Sequence, residues 1–176
     1  MKKEPTAWKI LMEKIVTTVA DCLNGQIQAG ADAVQLFDSW VGCLSAAEYK
    51  KNVMPYSKKL IGKIKKGAPV IHFGTGTGKF LEDFTAAGGD VISVDHHIRL
   101  GQAWRRIGYN RAIQGNLDPQ VLCGPLDGMK CHVSSVLKEA AGRPGHIFNL
   151  GHGVLPQTPE KNVVALVDMV HSFAKN

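Results

Sequence analysis

Five short apolar runs, each breaking off into a polar or glycine-rich cluster, constrain this 176-residue chain more than any other feature. The runs are Ala33–Phe37, Pro69–Phe73, Val91–Val94, Arg111–Gln114 and His146–Phe148. They end in Asp38-Ser39, in Gly74 onward, in Asp95-His96-His97, in Asn116–Asp118 and in Asn149–Gly153. Strands buried on both faces read as continuous apolar runs, and parallel neighbours need a crossover, usually a helix. The stretches between the runs are helical in pattern, so right-handed βαβ units in an α/β domain are predicted. Parallel α/β sheets and (β/α) barrels both load their chemistry at the carboxyl ends of the strands. Five units are too few to close an eight-stranded barrel.

The helical pattern is explicit between the runs. Trp8, Leu11, Ile15, Val19, Leu23 and Ile27 recur at three- and four-residue spacing and predict a helix from Trp8 to about Ala29, stopped by Gly30. Ser45 with Glu48 three residues on is a capping box. Pro55 should break or restart that helix, and Leu60, Ile61 and Ile64 carry its apolar face onward. Shorter helices are expected around Phe80–Phe84, closed by Gly88-Gly89, and over Leu100–Ile107. Another runs near Met129–Ala141 and stops at Gly142. Thr158 as N-cap and Pro159 at the first helical position open a last helix that reaches about Phe173. No linker, repeat or low-complexity run interrupts residues 1–176, which predicts one domain.

Composition narrows the function classes. Apolar residues at 44% and charged residues at 20% are ordinary for a soluble globular protein. No apolar stretch approaches the roughly 20 residues that cross a bilayer, and no hydrophobic signal core follows Met1–Pro5, so neither membrane nor secretory targeting is expected. Cys22, Cys43, Cys123 and Cys131 form no CxxC pair; buried or idle thiols in a reducing cytoplasm are expected. The net charge of +6 comes largely from Lys50, Lys51, Lys58, Lys59, Lys63, Lys65 and Lys66, which read as a solvated helix face. Aromatic and basic residues do not interleave as single-stranded nucleic acid requires, so no nucleic-acid partner is expected.

Several clusters carry candidate chemistry. Gly74, Gly76 and Gly78 follow a strand, and Asp95 closes the next one, which outlines a nucleotide-type or S-adenosylmethionine-type fingerprint. A tight strand-to-helix turn needing positive φ explains the same glycines equally well. Phe73 and Phe80 stand where a P-loop would need glycine and serine or threonine. His72, His97 and His152 near strand ends raise a divalent metal, but HxH and HExxH pairs are missing, and adjacent His96 and His97 should face opposite ways on an extended chain. A metal site is therefore not expected. His132 and His171 fall in helical stretches and read as surface or packing residues. Glycines flank His152 and leave its imidazole free to donate to an anion or move a proton. Ser39 has no adjacent base and suits hydrogen bonding to a substrate carboxylate rather than nucleophilic attack. Asp38 could cap its turn, while Asn116 and Asp118 should organise their own loop.

Taken in order, AVQLFDSW (33–40), PVIHFGTGTG (69–78), VISVDHH (91–97), QGNLDP (114–119) and GRPGHIFNLGHG (142–153) resemble the uroporphyrinogen decarboxylase family over about residues 8–174. The resemblance implies a (β/α)8 barrel, normally a homodimer, that works without a cofactor. It implies a tetrapyrrole substrate, uroporphyrinogen III, converted to coproporphyrinogen III by removal of four acetate carboxyls as CO2. Ser39 matches the family's substrate-binding serine or threonine, and His152 its substrate-binding histidine. Position 96, tryptophan in many relatives, is histidine here.

The family's RQAGRY-type segment, the aspartate that binds the pyrrole N–H groups and a tyrosine have no counterpart in this sequence. Losing CO2 from a pyrrole acetate requires a protonated, cationic ring, and an aspartate in a dry pocket stabilises that charge. Arginines would hold the substrate carboxylates in one pose. The resemblance therefore implies strands four to eight of the barrel: an incomplete, five-stranded (β/α) unit, inactive alone, whose missing amino-terminal portion carries the catalytic groups. Open edges near Ala33–Phe37 and Ile147–Phe148 should invite pairing. The alternatives are an S-adenosylmethionine-dependent methyltransferase, resting on the glycine turn and Asp95, and an interaction fragment that needs a separate chain. A corrinoid or coenzyme M methyltransferase would need an HxC zinc pair, but His72 is followed by Phe73 and Gly74.

Overall fold

The computed structural model describes residue 1 and residues 3–173. Its five parallel strands, β1 Val34–Asp38, β2 Val70–Gly74, β3 Val91–Val94, β4 Ala112–Leu117 and β5 His146–Leu150, form one sheet in chain order. The helices are α1 Pro5–Gln28, α2 Ala46–Asn52, α3 Met54–Lys63, α4 Leu81–Ala87, α5 Leu100–Ile107, α6 Leu126–Ala140 and α7 Glu160–Phe173. Every strand lies beside its predecessor, as in a (β/α) barrel. A doubly wound nucleotide-binding sheet instead reverses strand order and binds at the reversal. The expected five-stranded, incomplete barrel is what forms, with β1 and β5 as its edges.

Register shows how the sheet divides into two faces. Leu36, His72, Ile92 and Ile113 are aligned across β1 to β4 and lie against the helices. There Ile92, Val94 and Ile113 pack with Leu81, Phe84, Leu100 and Trp104, while Val34, Leu36 and Val70 pack with Val16, Leu23 and Leu60. The Trp104 indole is fully buried and its N–H donates to the Arg111 carbonyl at 2.8 Å, satisfying the one polar atom it carries inward. Phe37, Phe73, Ser93, Gln114 and Ile147 occupy the next aligned row and turn to the other face.

That second face is concave. Gln114 Nε2 donates to Ser93 Oγ at 3.0 Å and to Gln35 Oε1 at 3.3 Å. Gln35 lies on β1, three strands from Gln114, and strands about 4.8 Å apart would separate them by roughly 14 Å in a flat sheet. Only a curled sheet lets the side chains meet.

Local signals mostly act as expected. The capping box forms: Ser45 N donates to Glu48 Oε2 at 3.0 Å, and Glu48 N donates to Ser45 Oγ at 3.3 Å. Pro55 sits in the first turn of α3, after a non-helical Val53. β4 and β5 outrun the apolar runs because Asn116 and Asn149 pair within the ladder, a polar pair that hydropathy reads as strand end. α7 starts just after Pro159, and the Thr158 hydroxyl lies 3.7 Å from Cys123 Sγ. The lysines of α2, α3 and the following turn are all exposed. The cysteines are free but not buried: Cys22, Cys43 and Cys131 are exposed and Cys123 is half-buried. Among the described residues no helix is long and apolar enough to cross a membrane. Ile10, Leu11 and Ile15 of α1, Ile147 of β5, and Val164 and Val167 of α7 remain exposed.

Candidate functional site

The carboxyl ends of the strands build one rim, and each end is tied to its neighbour. After β1 the chain turns through Ser39 and Trp40. The Ser39 carbonyl accepts a hydrogen bond from the Thr75 hydroxyl, which lies on the loop after β2. Lys79 Nζ donates to the Gly42 carbonyl at 2.7 Å. A Cβ on Gly42 would stand 2.1 Å from the Thr75 carbonyl oxygen and 2.7 Å from Gly76 Cα, so only glycine permits this approach. The two loops are locked backbone to backbone, and the half-buried Ser39 hydroxyl is left without a partner among the described residues. Phe37, 64% exposed, meets Phe73 edge-on at 5.9 Å, and Trp40 beside it is 86% exposed.

The glycine turn is structural. Gly76 adopts φ of 64°, and its N–H donates to Asp95 Oδ2 at 2.6 Å. Asp95 is 1% exposed; its Oδ1 accepts from His97 N at 3.2 Å, and its Oδ2 lies 2.9 Å from His97 Nδ1. A carboxylate so engaged is not available to ribose hydroxyls. With the strand order, this removes both supports of the S-adenosylmethionine alternative.

The histidines disperse. His72 is not at the rim: its ring is fully buried on the helix side of β2, stacked on Phe84 at 3.8 Å. Its Nε2 lies 3.0 Å from Asp38 Oδ2 and its Nδ1 3.2 Å from the Gly88 carbonyl. Asp38 also accepts from Ser57 Oγ at 3.0 Å, so it braces β1 against α3 instead of capping its own turn. His96 and His97 do not oppose each other; β3 ends at Val94, and in the turn beyond it their rings lie 4.3 Å apart. His132 and His171 are exposed on α6 and α7. Among the described residues no three His, Cys, Asp or Glu side chains converge as metal ligands.

On the far side, Asn116 Nδ2 donates to the carbonyls of Asp95 at 2.8 Å and Ile98 at 2.5 Å, so it organises the loop after β3 and not its own. Asp118 does cap its own turn, accepting from Gln120 N at 2.9 Å. Gly151 N donates to the Leu117 carbonyl at 2.7 Å, and a Cβ there would lie 2.3 Å from His96 N. His152 follows directly, exposed and without a partner among the described residues.

Ser39 and His152 thus stand on one rim at opposite edges of the sheet. Four strand spacings, roughly 19 Å if flat, separate their strands, and the curl shortens that span. The row between them is neutral: Phe37, Phe73, Ser93, Gln114 and Ile147. The arrangement offers two hydrogen-bond donors at the ends of a partly apolar trough, and no free carboxylate on that row to stabilise a cation. Exposed Phe37, the Gln35–Ser93–Gln114 cluster and the Thr75 tether escaped sequence reading. Phe37 was legible as the last apolar residue before the Asp38-Ser39 cluster, whereas the other two are contacts between distant strands.

The family model for uroporphyrinogen decarboxylase (URO-D) matches residues 1–173. The uroporphyrinogen decarboxylase of Sorangium cellulosum is 51% identical over 99% of the chain and 50% of its own length. Those of Geobacter sulfurreducens and Thermus thermophilus are 48% and 47% identical, each over 99% of the chain and 52% and 51% of their own lengths. The chain spans about half the length of the curated relatives it matches. A solved methyltransferase from Methanosarcina mazei superposes with a TM-score of 0.83 at 21% identity, over 98% of this chain and 52% of that one, a likeness of fold alone.

Proposed function

Because the chain belongs to the uroporphyrinogen decarboxylase family, we propose that it forms the carboxylate-gripping part of a uroporphyrinogen decarboxylase site in porphyrin and heme biosynthesis. The observation that carries this reading is the placement of two donors without partners among the described residues, the Ser39 hydroxyl and the His152 imidazole, just after the first and last strands. Each donates to an acetate or propionate carboxylate of a tetrapyrrole that lies across the trough, while Phe37 and Trp40 face its apolar body. Hydrogen bonds to a charged partner contribute about 1.5–3 kcal/mol each.

Protonation of a pyrrole ring makes it a cation that needs a carboxylate beside it. Cleavage of the bond to the acetate carboxyl releases CO2 and returns the electron pair to the ring, after which the exocyclic carbon takes a proton and the ring gives up its own, leaving a methyl group. Asp95 cannot serve, being buried and committed to Gly76 and His97. We therefore assign the catalytic aspartate and the arginines to an amino-terminal portion outside this sequence. That portion completes the barrel along the β1 and β5 edges and covers Ile10, Leu11 and Ile15 of α1 and Val164 and Val167 of α7. The assembled enzyme is a cytoplasmic homodimer with no cofactor.

The test is a titration of the full chain with uroporphyrin III, the oxidised form bearing the same carboxylate side chains, followed by quenching of tryptophan fluorescence and by the Soret band. Ser39→Ala and His152→Ala are each expected to weaken binding about 10-fold or more. Equal affinity in both variants and the unaltered chain refutes the assignment.

A further inference from the structure

We propose that Asp95 is the positioning residue that sets Ser39 and His152 in register across the rim, an inference that rests on the carboxylate-gripping role given to those two side chains. Ser39 and His152 share no strand and no direct contact, yet both connect to Asp95 through short backbone paths. On one side the Asp95 carboxylate accepts the Gly76 N–H at 2.6 Å. Gly76 follows Thr75, whose hydroxyl holds the Ser39 carbonyl, and Gly42 closes onto the same two residues. The loop bearing Ser39 therefore hangs from the loop that Asp95 clamps.

On the other side the Asp95 backbone is the wall against which the last loop rests. Asn116 Nδ2 donates to the Asp95 carbonyl at 2.8 Å, pinning the loop after β3 to β4. A Cβ on Gly151 would lie 2.9 Å from the Asp95 carbonyl carbon and 2.3 Å from His96 N. The residue immediately before His152 is thus seated directly on the Asp95-His96 peptide. His97, through its backbone N–H and Nδ1, holds the same carboxylate and fixes its rotamer. Groups placed through rigid backbone contacts are lost to misorientation when the clamp goes, even though the groups themselves remain.

A side chain that acts only through others becomes silent when those others are removed, whereas a general contribution to the fold persists in every background. The experiment is the same uroporphyrin III titration on the full chain with Asp95→Asn, alone and combined with Ser39→Ala or with His152→Ala. Asp95→Asn is expected to weaken binding about 10-fold alone and by roughly threefold or less in either combined background. Asp90→Asn serves as control: Asp90 Oδ2 likewise accepts a backbone N–H, that of Val70 at 2.8 Å, but at the amino end of the strands, and no change in affinity is expected. A penalty for Asp95→Asn of the same size in all backgrounds, or no penalty, overturns the proposal. An unaffected affinity in Ser39→Ala and His152→Ala instead overturns the reading on which it rests. If Asp95→Asn does not fold, Thr75→Val cuts only the Ser39 branch. It is then expected to weaken binding in the unaltered chain and to do nothing in the Ser39→Ala background, and a neutral Thr75→Val overturns the proposal.

Discussion

Replacing Tyr49 by phenylalanine should make this protein more stable, and the direction of that change is a stringent check on the packing behind β1 and β2. Tyr49 is fully buried; its ring stacks on Phe80 at 4.5 Å and 13° and leans on Phe84 at 6.0 Å. Its hydroxyl is buried and finds no hydrogen-bond partner among the described residues. An unsatisfied buried polar group costs about 1–3 kcal/mol, and Tyr49→Phe removes that cost while keeping the stacked ring. A gain of about 1–2 kcal/mol follows, which in a chain of this length raises the thermal midpoint by roughly 2–8 °C. In urea the midpoint should rise with an unchanged slope. Burial first, then the charges of Asp38 and Asp83, push the phenol far above its ordinary 10.0. Above pH 10 the unfolded phenol ionises and the folded one does not, so the unfolded state holds fewer protons and stability falls as pH rises. The advantage of Tyr49→Phe should therefore widen by roughly 1 kcal/mol between pH 10 and pH 11. A variant less stable than the unaltered protein at pH 7, or a difference that does not grow above pH 10, refutes the reasoning.

Two further outcomes follow from the same contacts. Gly42→Ala forces a Cβ to within 2.1 Å of the Thr75 carbonyl oxygen, backbone against backbone; a loss of about 1–3 kcal/mol is expected, read by thermal or urea denaturation. His146 sits on the helix side of β5 with Nε2 donating to the Gly115 carbonyl at 2.8 Å, and burial holds its imidazole below the ordinary 6.5. The unfolded state then binds more protons just below pH 6.5, so stability should fall as pH drops through that range, and His146→Phe should flatten the fall. If His146→Phe loses as much stability between pH 7 and pH 5.5 as the unaltered protein does, by urea titration at each pH, the reasoning fails.

β2, β3 and β4 were legible because burial on both faces leaves a near-continuous apolar run, and Val91–Val94 was bounded to the residue. Strand ends carrying Asn116 and Asn149 were not: the two sit opposite each other in the β4–β5 ladder, while their side chains bond the Asp95 and Ile98 carbonyls and the Leu150 N–H. Among the site residues, His152 stood out through its flanking glycines and Ser39 through its place at a strand end. His72 and Asp38 misled for one reason: strand alternation sends them to the helix side, where each finds a partner on an element distant in sequence. Asp95 was noticed for a ligand-binding pattern, yet its partners are the backbone of Gly76 and the His97 beside it, a contact the glycine spacing could not distinguish from a cofactor turn.

The division of labour proposed for this half-length chain is tested most directly by turnover with and without a complement. Pure protein incubated anaerobically with uroporphyrinogen III should yield no coproporphyrinogen, and adding the amino-terminal half of the Geobacter sulfurreducens relative should start production. Coproporphyrinogen formed by the chain alone, or a stable complex of the two halves that stays inert, would contradict it.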